Sequence, residues 1–247
     1  MSVGTAYWEA SDGEVPNFEF RFSHDRIQQA AYSLIPDRIR RETHLKLGWA
    51  LLDGLTEEAL DYHLFDIVEH FNEAAELIKD TAERDRVSRL NYAAGQRALQ
   101  SAAYAHGYTY FRRAAALSGR DAWERDYAYA LDVGVESARA AYLTGDSDAM
   151  DQAADEVLAH SRSPLDSFRA QEVRALSLVG RQKAIEALEL ALETMASLGH
   201  TLIADPTAED VEQGLVATLG LLNNRSNEEI AALPETQDPV GLAIMRL

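Results

Sequence analysis

The chain has 247 residues, 47% of them hydrophobic and 26% charged, which is ordinary for a globular protein able to bury a sizeable core and does not indicate disorder. Its 41 acidic and 23 basic side chains give a formal net charge of −18, which repels phosphate backbones and anionic lipid headgroups, so neither nucleic acid nor a membrane surface is an expected partner. It contains no cysteine, which excludes disulfides, thiol catalysis and thiolate metal sites and fits a cytoplasmic setting, and no apolar run approaches the roughly 20 residues needed to span a bilayer.

Phe18, Phe20 and Phe22 alternate as in a half-buried strand that runs straight into an amphipathic helix, so FRFSHDRIQQAAYSLIP reads as a junction and the chain as a piece of something larger. From there on apolar residues recur at helical spacing. Pro36 is expected to open a helix through Leu55, and Thr56 another through Ile78. Asp80 with Glu83 makes a capping-box-like start to the helix that carries Leu90, Ala94, Ala98 and Ala102. Asp146 and Thr207 read as further caps. Ser163, Pro164 and Asp166 combine a side-chain cap, a proline whose missing N–H costs nothing in the first turn, and an acid at the positive helix end. The stretch from His200 to Pro206 is expected to be a longer loop, followed by a last amphipathic helix to about Asn224 and a new start at Asp238-Pro239.

The helices pair into hairpins that look alike. Aligning Gly107 with Ala149 and Ala184 gives offsets of 42 and 35, the second close to the tetratricopeptide period, with small residues expected where backbones approach closely. The expected fold class is therefore all-α: a tetratricopeptide-like helix-hairpin superhelix with a short N-terminal β-hairpin remnant. The division is 1–22, the remnant of a winged-helix β-hairpin; 23–83, a helical linker layer; 84–199, degenerate hairpins; and 200–247, a further truncated repeat.

Three groups of residues carry candidate chemistry. His63, Asp66 and His70 fall on one helix face, a spacing that permits metal coordination, but the further ligand of a metal motif is missing and no metal is expected. Tyr104, Tyr108, Tyr110, Trp123, Tyr127 and Tyr129 gather at one hairpin boundary; Tyr108 and Tyr127 are candidates to line a concave groove for a peptide or small-molecule effector, the alternative being core packing. Ser23-His24-Asp25 lies where strand becomes helix, and His24 has three readings: a phosphoacceptor of histidine-kinase type, a nucleotide sensor, or a junction histidine satisfied locally.

SHDRIQQAAY resembles the histidine-aspartate signature that ends the winged-helix element of STAND-type ATPases. RFSHDRIQQAAYSLIP, THLKLGWALL, LFDIVEHFNEAAELI, LNYAAGQRALQSAAY and the stretch from SRSPLDSFRAQ to LETMASLG together resemble the helical region behind the ATPase module of large multidomain signalling proteins. Those proteins join a serine/threonine-kinase-like domain, an AAA-type ATPase, this array, GAF or PAS sensors and often a sensor histidine kinase. The resemblance implies a parent that is an ATPase and protein kinase using ATP, ADP and Mg, with His24 near bound nucleotide. The chain itself has no GxxxxGK[ST] loop, no HRD or DFG signature and no ATP-lid motif, so it is expected to be non-catalytic, to bind no cofactor alone, and to take other domains of the same protein as partners. On that reading, nucleotide exchange beside His24 releases the first helical layer, Tyr32 to Leu55, and the stacked hairpins carry the change onward.

Overall fold

The computed structural model describes residues 25–222 and 225–247, and these described residues are all-α. The expected β-hairpin remnant, with Phe18, Phe20 and Phe22, lies outside the described residues, as does His24.

A short helix α1 (Asp25–Ser33) leads into α2 (Asp37–Leu52), which packs against α3 (Glu57–Glu73). Thr56 caps α3 by accepting a hydrogen bond from the Ala59 N–H. The expected continuation to Ile78 is interrupted: Ala74 leaves the helical region at φ −115°, and residues 75–77 form a single 3₁₀ turn. The apolar residues of that turn therefore continue the helical spacing without continuing the helix. Leu52, Ile67, Phe71, Ile78, Val87 and Leu117 close a core over this layer, and Gly48 lets α2 sit on the Phe71 ring, which a Cβ at that position would meet at 2.9 Å.

Three hairpins follow: α4 (Thr81–Gln100) with α5 (Tyr104–Ser118), α7 (Tyr127–Thr144) with α8 (Ser147–His160), and α9 (Pro164–Gly180) with α10 (Ala184–Ser197). The one-turn α6 (Ala122–Arg125) bridges the first to the second, α5 packs on α7, and α8 packs on α9. Asp80, Asp146 and Ser163 each cap as their sequences require, accepting from the N–H of Glu83, Ala149 and Asp166.

The three hairpins turn identically. Ala102, Gly145 and Gln182 stand at φ 57°, 80° and 61°. In each case the following N–H reaches back to close the helix end, Ala103 to the Ala98 carbonyl at 2.8 Å, Asp146 to Ala141 at 3.1 Å and Lys183 to Leu178 at 2.9 Å. Registering the hairpins on these turns corrects the alignment expected from small residues by one and three positions. Gly107 now matches Met150 and Ala187, and all three are buried; Ala114 matches Val157 and Thr194, and these are buried too. The shared property is burial at the helix interface, not small size. It takes a large residue wherever the facing helix leaves room.

Beyond α10, residues 198–207 form no helix. Next come α11 (Ala208–Leu222), α12 (Asn227–Ala231) and α13 (Pro239–Ile244). No residue of α11 is buried, whereas α13 returns to α9, burying Ala243 and pairing Arg246 with Glu172 at 2.7 Å.

Candidate functional site

Side-chain bonds between neighbouring layers recur at one spacing. Arg41 pairs with Glu76, Arg89 with Asp126, Arg97 with Asp61, Arg125 with Asp85 and Arg169 with Asp132, each partner 35 to 40 residues away along the chain, about one hairpin. Tyr127 adds another at 39, its hydroxyl donating to Asp166 at 2.7 Å. These bridges sit at the surface, where each contributes little stability, but their repetition fixes how one hairpin is registered on the next.

Within the stack one polar junction is centred on the buried Ser88. The Ser88 hydroxyl lies 2.7 Å from the Ala114 carbonyl, from the Ser118 hydroxyl and from the Tyr129 hydroxyl, so a single oxygen ties α4, α5 and α7 together. Beside it Tyr92 is pushed up to about 12 by burial and then by Asp132, and Tyr110 to about 12 by burial and then by Glu69, to which it donates a bond of 3.1 Å. Both hydroxyls stay neutral, Tyr110 donating to Glu69 and Tyr92 accepting from the Gln96 amide at 3.2 Å.

The aromatic cluster divides between layers and is used mainly for packing. Tyr110 is buried against Leu64, Val68, Ala94 and Ala98, and Trp123 is buried with its ring stacked on His160 at 4.5 Å. Tyr108 and Tyr127 are half-buried and pack on the core of α7 and α8. The Tyr127 ring is covered by the Arg162 guanidinium at 3.9 Å, and the Arg120 side of the same region opens into a different space. That space is a cavity of about 220 Å³ between α5, α6, α7 and α8, lined by Ala116, Trp123, Val133, Gly134 and Ala153, with Arg120 and Glu156 among its charged lining residues. Tyr127 does not line it, and Tyr108 lines a separate surface pocket with Thr109, Arg112, Arg113 and Ala116. Small residues create the cavity, and no periodicity in the chain marks it.

The proposed helix-face trio also separates. His63 and Asp66 stand 3.9 Å apart, while His70 turns toward α2, placing its Nδ1 2.8 Å from Nδ1 of His44. Among the described residues no three His, Asp or Glu side chains gather as a metal-holding group. The other ring nitrogen of His44 lies 2.7 Å from the Tyr32 hydroxyl, so a chain of three rings joins α1, α2 and α3. Burial, and after it the neighbouring His70, pushes the His44 imidazole below its ordinary value, and Glu73 opposes this. Sequence reasoning missed this pair, since 26 residues separate its members and only the packing of α2 on α3 brings them together.

No helix among the described residues is long and apolar enough to cross a membrane. No family model matches the chain, and no solved structure does. The chain is similar to the hybrid signal transduction histidine kinase G of Dictyostelium discoideum, 25% identical over 207 residues that cover 73% of the chain. It spans 6% of the length of that protein.

Proposed function

We propose that the chain is a non-catalytic helical-repeat arm of a multidomain signal-transduction protein, which couples the nucleotide state of an ATPase module to sensor or kinase domains. The observation that carries this reading is the similarity of most of the chain to a small part of a very long hybrid histidine kinase, which supports a signal-transduction setting. The architecture suits it: three hairpins with the same turn, bridged by side chains 35 to 40 residues apart, are compatible with a tetratricopeptide-like stack in which each layer touches mainly its neighbours. Such a stack passes a rigid-body displacement from one end to the other. His24, just ahead of α1, is the residue assigned to sense nucleotide, and α1 with α2 is the first layer to respond.

Calorimetry of ADP binding tests this, on the chain alone and on the chain joined to its natural upstream sequence, each with His24 and with His24→Ala. Binding by the longer form only, weakened at least tenfold by the substitution, is the expected result; equal binding by the native and substituted long forms overturns the nucleotide role. A second reading, an effector-binding array, is favoured by the cavity beside Trp123. It predicts that a small apolar ligand quenches Trp123 in the native chain but not in Ala153→Leu, which fills the space.

A further inference from the structure

Among the described side chains of α1, Tyr32 is the one that bonds the stack. Ile27, Leu34 and Ile35 are 51%, 83% and 38% exposed. Among the described residues the side-chain hydrogen bond that leaves α1 for another helix is that of Tyr32 with His44, whose ring also meets the Tyr32 ring edge-on at 6.1 Å. The Arg40 guanidinium covers the Tyr32 ring at 5.3 Å. What holds α1 therefore depends on where the His44 ring stands. That ring is in turn positioned by His70, with ring centroids 4.9 Å apart and the two Nδ1 atoms at 2.8 Å.

Two Nδ1 atoms at hydrogen-bond distance have room for one proton between them. With the pair neutral, one ring presents Nδ1–H and the other a lone pair. With one proton added, the donor ring becomes imidazolium and the bond survives as a charge-assisted one. A second proton sets N–H against N–H and two unit charges against each other, and the contact cannot persist. Of the charged groups that act on His44, Glu73 opposes this and Arg40 adds to it. From α2, Arg40 adds a positive charge and is itself paired with Asp37 at 2.8 Å; Arg41 is spent on Glu76 of the 3₁₀ turn. From α3, Glu73 favours protonation, and from α1, among its described side chains, the neutral Tyr32 faces the pair.

We propose that the His44–His70 pair is a pH-operated latch: carrying at most one proton it holds α1 and α2 on α3, and carrying two it lets the Tyr32 anchorage go. This goes beyond the nucleotide reading and does not need it. Burial and the first proton both push the second protonation below the ordinary histidine value, so the latch opens on acidification below that value rather than near neutrality, and the element it releases is α1.

The chain has no cysteine, so spin labels can be placed cleanly at Gln29→Cys on α1 and Glu58→Cys on α3, and their separation measured by pulsed electron resonance at pH 7.5 and 5.0. A single narrow distance at pH 7.5, and at pH 5.0 a longer, broader population grown at least tenfold, is expected. In His70→Asn the carboxamide still bonds His44 but adds no second charge, so the two distributions should coincide. A native chain whose distances do not change with pH, or a His70→Asn chain that opens as the native does, overturns the latch. Should His70→Asn fail to fold, Tyr32→Phe keeps the histidine pair and removes the tether: α1 should then be displaced at both pH values, and a Tyr32→Phe chain still closed at pH 7.5 equally refutes the proposal.

Discussion

The three hairpin turns permit an internally controlled test of what shapes the stack. Gly145 occupies the left-handed position of its turn with nothing within 4 Å of where a Cβ would stand, so Gly145→Ala changes backbone preference alone. The left-handed conformation costs an L-residue about 1–2 kcal/mol, and replacing glycine returns about 0.4–1 kcal/mol by stiffening the unfolded chain, leaving a net loss of about 1 kcal/mol. Ala102 and Gln182 occupy the same position in their own turns at φ 57° and 61°, both exposed, and already bear that cost. Ala102→Gly and Gln182→Gly should therefore stabilise by about 1 kcal/mol, equal in size and opposite in sign. Urea unfolding followed by both circular dichroism and tryptophan fluorescence should show midpoints moved by roughly 0.3–0.5 M in opposite directions at unchanged slope. If Ala102→Gly and Gln182→Gly destabilise, or if all three substitutions are neutral, the turns are not equivalent and the register drawn from them fails.

Other consequences are independent of the turns. Gly95→Ala places a Cβ 2.6 Å from the buried Phe111 ring, and overpacking of about 1–3 kcal/mol should exceed a helix-propensity gain of up to about 1 kcal/mol; adding Phe111→Leu should recover part of the loss, and strict additivity in the cycle would refute the contact. Ser88→Ala removes a partner of the half-buried Tyr129 hydroxyl while Ser118 keeps its bond to the Ala114 carbonyl at 3.1 Å, so it should cost about 1 kcal/mol, and Tyr129→Phe should cost less, as read from unfolding midpoints. Glu136 has its carboxyl pushed above 4.5 by burial, so the folded state holds its proton longer than the unfolded one and stability is lost as pH rises from that value through the raised one. Glu136→Gln should accordingly raise the melting temperature at pH 7 and leave it unchanged at pH 3, and an equal effect at both would contradict the burial argument. Because α11 buries nothing, limited proteolysis should cut between 199 and 225 before any hairpin is touched, which mass spectrometry of the first fragments checks.

Helix starts were legible in the chain because capping is local chemistry. Asp80, Asp146, Ser163, Thr207 and Asp238 act within three residues of themselves, and each accepts the bond its type and position imply. Helix ends were less so. The sharp turns at Ala102 and Gln182 lack the glycine that signals a left-handed residue, since tertiary packing imposes the turn on residues that resist it, and the break at Ala74 hides inside an unbroken apolar spacing. The hairpins were visible as pairs but misregistered, because small residues were weighed in place of burial. Of the candidate site, Tyr108 and Tyr127 pack half-buried on the core of α7 and α8, Tyr108 also lines a surface pocket with Arg112 and Arg113, and His70 turns from His63 and Asp66 to His44. The pair that does form, His44 with His70, depends on two helices meeting and has no signature in either one.

Firm and loose parts are distributed along the stack in a way that bears on how it could transmit a change. The interior, from α4 to α9, is tied by the buried Ser88 junction and by bridges one hairpin apart, so a displacement of one hairpin must move the next. At its two ends the fastening is different in kind. The α11 end presents Val211, Leu215 and Leu219 more than half exposed, while at the α1 end a single tyrosine and two histidines close the connection. On the proposed reading, a middle bonded in this way, between a loosely covered end and a proton-sensitive one, is expected to move as a unit when either end is shifted. It follows that His70→Asn should alter the distance between α1 and α3 without changing distances within α7–α10, and a spread of the effect into those hairpins would show that the middle is not the rigid body its bonding describes.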